Sequence, residues 1–129
     1  MNSKLGPTVH AVLRVVAGLL FMQHGLQKIF GLLGGFEGGR AELMSRYGAA
    51  GILEVVGGPL LIIGLGTRPV ALLLFLEILV AYSLNHVPRG TFPIQNGGEL
   101  ALLYAAVFAF LAGNGAGPFS ADAAIWKRR

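Results

Sequence analysis

The chain has 129 residues, of which 54% are hydrophobic and only 12% charged. Soluble domains carry about 25% charged residues, so this composition excludes an ordinary soluble monomer and points to a compact membrane protein. The absence of cysteine removes disulfides, thiol chemistry and thiolate metal sites. The formal net charge is +4. The basic residues do not form a patch among aromatic residues, so nucleic acid is not an expected partner. They flank apolar segments instead, as topology signals do.

Four apolar segments follow in chain order, over residues 9–30, 49–66, 69–86 and 95–113. About 20 helical residues cross the ~30 Å core of a bilayer. The pattern predicts a single membrane domain, an all-α integral membrane four-helix bundle. The first segment is expected to stay as a helix rather than act as a signal peptide. Arg14 interrupts its apolar run, and no A-x-A-like cleavage site follows it. In the second, Pro59 frees a carbonyl and favours a kink. A Gly-rich stretch over residues 31–48 joins the first two segments, and RAELMSRY within it suggests a short amphipathic surface helix. Pro69 suits the first turn of the third helix. In the fourth, the purely apolar part begins at Leu100.

Four spans put both termini on one side, with Lys4, Arg68, Lys127, Arg128 and Arg129. Arg40, Arg46 and Arg89 fall on the other, with Lys28 near the membrane edge. The positive-inside rule then places both termini in the cytoplasm. Trp126 and the three basic residues after it read as an interfacial anchor beside lipid headgroups.

An ionisable group inside a span costs at least ~2.5 kcal/mol on insertion scales. Arg14, His24, Lys28, Glu54, Glu77, His86 and Glu99 all lie in or at the ends of the spans. At about 100° per residue, Arg14, Gly18, Phe21, Gly25 and Lys28 share one sector of the first helix, with His24 at its edge. Glu54, Gly57, Gly58 and Leu61 share a face of the second, where glycines allow close approach. Topology gathers His24, Lys28, Glu54, Glu77, His86 and Glu99 toward the outer half or the middle of the bundle. These six are the candidates for binding or proton relay. Arg14 lies near the other side and is the candidate for a structural charge.

Each has a plainer reading. Lys28 and Arg14 can snorkel to an interface, and His86 and Glu99 can be interface residues. Glu54 and Glu77 are too short to snorkel far, but a structural ion pair or a protonated acid lowers their cost. Haem ligation by His24 and His86 has only two isolated histidines behind it. No P-loop, dinucleotide fingerprint or metal-binding motif is present.

The segments RVVAGLLFMQHGLQKIFG, EVVGGPLLIIGLGTRPVALLL, GGELALLY and GAGPFSADAAI occur in that order. Together they resemble the DoxX family of small membrane proteins over nearly the whole chain. Arg14, Lys28, Glu54, Glu99, Ser120 and Asp122 match positions of the family's motifs. Glu77 does not, and its role rests on the membrane argument. The resemblance implies a multi-pass protein of a prokaryotic cytoplasmic membrane. It also implies a link to oxidoreductases, some members being subunits of thiosulfate–quinone oxidoreductases.

The leading expectation is a redox-linked subunit, at most one part of a membrane oxidoreductase. It binds a quinone-like molecule or anchors a soluble or membrane oxidoreductase partner. His24, Lys28 and His86 can donate to quinone carbonyls, and the glutamates can relay protons. A second reading is a non-enzymatic scaffold whose charges are structural and whose contacts are residues 40–47 and the tail. A third is a small proton-coupled transporter, which needs a homo-oligomer.

Overall fold

The computed structural model describes residues 4–126, so Lys127, Arg128 and Arg129 of the expected anchor lie outside the described residues. Four long helices dominate. Helix α1 spans Leu5–Gly25 and continues as a π-helical turn over Leu26–Phe30. Helices α2 and α3 span Arg46–Ile63 and Thr67–Asn85. After a 3-10 turn, Val87–Arg89, and a single turn α4, Pro93–Asn96, comes helix α5, Glu99–Asn114. A short α6, Ala121–Trp126, follows.

Three of the long helices are long and apolar enough to cross a membrane; α5 is equally apolar but has 16 residues. The α5 helix starts at Glu99 rather than at residue 95. Gly97 takes a left-handed conformation, φ 73°, and separates α4 from it. Pro59 sits inside an uninterrupted α2.

The loop after α1 contains no surface helix. Residues 40–42 have no regular structure and residues 43–45 turn into α2, because Ser45 is its N-cap. Its hydroxyl donates to the Glu42 carbonyl at 2.6 Å and accepts from the Gly48 N–H at 3.1 Å. An N-cap oxygen satisfies one of the free N–H groups of a first turn. Arg46 and Tyr47 therefore open α2 instead of closing a separate helix.

The helices form two antiparallel hairpins, α1 with α2 and α3 with α5, packed side by side through α2 and α3. Glycine sets the first. A Cβ on Gly18 would sit 2.7 Å from the Gly58 carbonyl oxygen. A Cβ on Gly25 would sit 2.6 Å from the Val55 nitrogen. Only hydrogen fits there, so the two backbones approach closely, as small residues permit in membrane bundles. The hydrophobic interior includes Phe21, Leu61, Leu74, Ile78, Tyr104 and Phe108.

Polarity is distributed in the sense a membrane requires. Val12, Val16, Leu20, Val56, Leu73 and Leu103 stand exposed on the outer helix faces. Arg14 and Glu54 are 3% and 2% exposed. Apolar side chains facing outward around buried charge are costly in water and favourable in lipid. The buried faces are the periodic ones: Arg14, Ala17, Gly18, Phe21 and Gly25 on α1, and Glu54, Gly57, Gly58 and Leu61 on α2.

Candidate functional site

The α-helical part of α1 runs to Gly25. Beyond that residue it widens into a π turn, a feature frequent at functional sites, and Lys28 lies in that turn. From there the ammonium donates to both carboxylate oxygens of Glu54, at 3.0 and 2.9 Å. The ion pair crosses the close α1–α2 contact. Gly51, one helical turn before Glu54, makes room for it: a Cβ there would sit 2.9 Å from Lys28 Cβ.

Three more side chains complete the cluster. Glu77 of α3 faces the Glu54 carboxyl, and its oxygen Oε1 is buried with no hydrogen-bond partner among the described residues. His24 of α1 feels the charges of Glu54 and Lys28. Tyr104 of α5 faces Glu54 and is 8% exposed. Its ring meets His24 edge-on at 6.1 Å and packs on Phe21 at 5.1 Å and Phe108 at 5.9 Å. All four long helices thus contribute to one polar centre with an aromatic wall.

The structure brings together His24, Lys28, Glu54 and Glu77, and separates the other two candidates from them. His86 stacks on Tyr82 with ring centroids 5.6 Å apart, and its Nδ1–H donates to the Asn96 carbonyl at 3.0 Å. Asn96, 1% exposed, donates to the Tyr82 hydroxyl at 3.0 Å and the Gly90 carbonyl at 3.1 Å, and accepts from the Gly98 N–H at 2.8 Å. This network ties the loop after α3 to the end of that helix. Glu99 is exposed in the first turn of α5, where a negative charge complements the helix dipole. His24 and His86 therefore have separate ring neighbours, Phe21 and Tyr104 for the first and Tyr82 for the second. Among the described residues, no group of three or more His, Asp or Glu is placed to hold a metal ion.

Arg14 has a different setting. Its Nε donates to the Leu61 carbonyl at 2.8 Å, and its Nη2 to Phe119 at 3.0 Å and Ile62 at 3.4 Å. Its Nη1 donates to Ala116. Leu61 and Ile62 are in the last turn of α2, where carbonyls lack helical partners. The guanidinium thus fastens the end of α2 to the segment after α5. On the same side, Asp122 accepts from the N–H groups of Gly66 and Thr67 at 2.8 and 2.9 Å, capping α3.

Two contributions escape a reading of the sequence. Tyr104 is the one polar side chain between Leu100 and Ala112, a usable signal in so apolar a stretch. Asn96 stands before Gly97 and reads simply as a turn residue.

Outward-facing apolar helices around a buried charge cluster define a small multi-pass helical membrane protein. The chain belongs to the DoxX family, whose model matches residues 9–87, which includes Lys28, Glu54 and Glu77. It is also similar to an uncharacterised protein of Haemophilus influenzae, 39% identical over 97% of this chain and 96% of the relative. No solved structure matches the chain.

Proposed function

We propose that this DoxX-family protein is a redox-linked membrane subunit that binds a quinone-like molecule beside Lys28, Glu54 and Glu77. The observation behind this reading is the unpartnered Glu77 Oε1 next to a buried ion pair. Unpaired polar atoms in a dry interior are costly, and functional sites tolerate that cost. The carboxyls and His24 exchange protons, while a partner oxidoreductase supplies electrons. Titration of purified protein with a short-chain quinone tests this. Saturable binding that Glu54→Gln and Lys28→Met weaken supports it; binding indifferent to both changes contradicts it.

The protein would sit in a prokaryotic cytoplasmic membrane with both termini inside. Lys4 and Arg68 on the terminal side, with the basic residues 127–129, outnumber Arg40, Arg46 and Arg89. A fluorescent protein fused to the C-terminus should fluoresce; an active C-terminal alkaline phosphatase fusion would oppose the orientation.

The carbonyl-filled setting of Arg14 favours a second reading. There a charge serves architecture alone, and a scaffold could use the Lys28–Glu54 pair in the same way. In that case removal of residues 124–129 abolishes partner co-purification and quinone titration shows no binding.

A further inference from the structure

We infer that the loop between α1 and α2, residues 31–45, does not project into water but lies in the headgroup layer of the bilayer. Leu32, Leu33, Leu43 and Met44 seat it there, and apolar contact rather than charge holds it.

The side chains divide along the loop. Met44 is 99% exposed, and Leu32, Leu33 and Leu43 are each more than half exposed. Contiguous apolar surface of this kind marks a place of interaction. The four residues form two pairs, one just after the π turn and one just before α2, so both pairs border the spans. Phe30, the last residue of the π turn, is exposed as well, and carries the outward apolar belt of α1 toward Leu32. The polar residues lie at the tip instead. Phe36 and Gly39 pair through two backbone hydrogen bonds, of 2.7 and 3.0 Å, and turn the chain over Glu37 and Gly38. Two open hollows share the ridge of Arg40 and Glu42. The one at the tip is lined by Glu37 and Ser45, the other by Ile29, Leu43 and Met44. A polar side and an apolar side on one element at the end of the spans is the pattern of an interfacial segment.

The backbone beside the apolar pairs is satisfied from within, which contact with lipid favours. The Leu32 N–H donates to the Leu26 carbonyl at 3.2 Å, and the Leu32 carbonyl accepts from the Gly35 N–H at 2.9 Å. The Leu33 carbonyl accepts from Gln27 Nε2 at 2.9 Å. The loop is also held against the bundle. The Ala41 N–H donates to the Lys28 carbonyl at 2.8 Å. Phe36 packs on Tyr47 at 5.1 Å, and the Tyr47 hydroxyl donates to Asn85 of α3 at 3.0 Å. On this same end, the segment between α3 and α5 presents Phe92 and Ile94, the latter 79% exposed. Charge offers the loop little. Arg40 and Arg46 balance Glu37 and Glu42, so an anionic surface does not attract the segment as a whole.

The chain has no cysteine, so a single nitroxide label can be placed at a chosen position. The test uses Met44→Cys and Leu33→Cys for the apolar pairs and Glu37→Cys for the tip. Each full-length protein is labelled and placed in phosphatidylcholine vesicles, with helicity checked by circular dichroism. Collisions of the label with oxygen, which dissolves in lipid, and with a water-soluble nickel chelate are then measured. Labels at positions 44 and 33 should lose nickel collisions relative to position 37 and gain oxygen collisions. Each of the two positions carries the test alone if the other variant does not fold. Added phosphatidylglycerol or high salt should shift neither reading. Nickel chelate that reaches positions 44 and 33 as readily as position 37 overturns the inference. Seating that appears only with phosphatidylglycerol overturns the apolar basis of the contact. Shielding from both reagents, with spin–spin broadening that unlabelled protein dilutes away, assigns the surface to a second copy of the chain and overturns lipid as its partner. None of these outcomes depends on ligand binding at Lys28 and Glu54.

Discussion

The Lys28 ammonium grips both oxygens of the Glu54 carboxylate across the α1–α2 interface, with the Glu54 side chain 2% exposed and that of Lys28 16%. This pair is the electrostatic centre of the bundle. Removing one member leaves the other buried without compensation, which typically costs about 3–5 kcal/mol. Lys28 keeps some exposure, so Glu54→Leu, which leaves Lys28 behind, should cost near or below the lower end of that range, and Lys28→Met, which strands the buried Glu54, should cost more. The double change Lys28→Met with Glu54→Leu should cost less than the two single changes added together. Unfolding of the variants in a fixed detergent by a denaturant series measures this. Strict additivity would mean that the two side chains do not act as a pair.

Gly18 and Gly25 make a second prediction. A methyl at either would meet backbone atoms of α2, at 2.7 and 2.6 Å respectively. Overpacking of this kind costs about 1–3 kcal/mol. Gly18→Ala and Gly25→Ala should therefore lower the thermal midpoint. Gly6→Ala has nothing within 4 Å of its new Cβ and should be neutral or slightly stabilising. A Gly25→Ala protein as stable as Gly6→Ala would refute the close α1–α2 approach.

Asp122 provides a third. Its two oxygens hold the Gly66 and Thr67 N–H groups at the start of α3. Loss of such a cap costs about 0.5–2 kcal/mol. Asp122→Ala should speed amide hydrogen exchange at Gly66 and Thr67 while leaving the middle of α3 protected. Unchanged exchange at those two amides would show that the cap contributes nothing.

The periodic part of this architecture was legible in the sequence. Spacing alone puts Arg14, Gly18, Phe21 and Gly25 on one face, and that face is the buried one. The same holds for Glu54, Gly57, Gly58 and Leu61. Partner choice was less legible, because it depends on tertiary contacts. Glu54 is paired with Lys28, 26 residues away, and Asp122 with amides 55 and 56 residues away. The expected gathering of six groups becomes a cluster of four, since His86 is committed to Tyr82 and Asn96. The π turn carrying Lys28 has no sequence signature. The surface helix expected from RAELMSRY fails because Ser45 caps α2 inside it.

Tyr82 gives a fourth prediction, away from the cluster. Its hydroxyl accepts from buried Asn96, which organises the loop before α5. Tyr82→Phe leaves that donor without one partner, at about 1–3 kcal/mol. Proteolysis within residues 87–98 should become faster. Cleavage at the original rate would show that the Gly90 carbonyl alone satisfies Asn96.

The most direct test of the account is ligand binding at the ion pair. Short-chain quinone should be titrated into purified protein and into Glu54→Gln, with helicity checked by circular dichroism. The account predicts saturable binding that weakens in the variant, because Glu54 no longer holds the Lys28 donor in place, while helicity is retained. Equal affinity in both proteins, or no binding to the unaltered one, would contradict it.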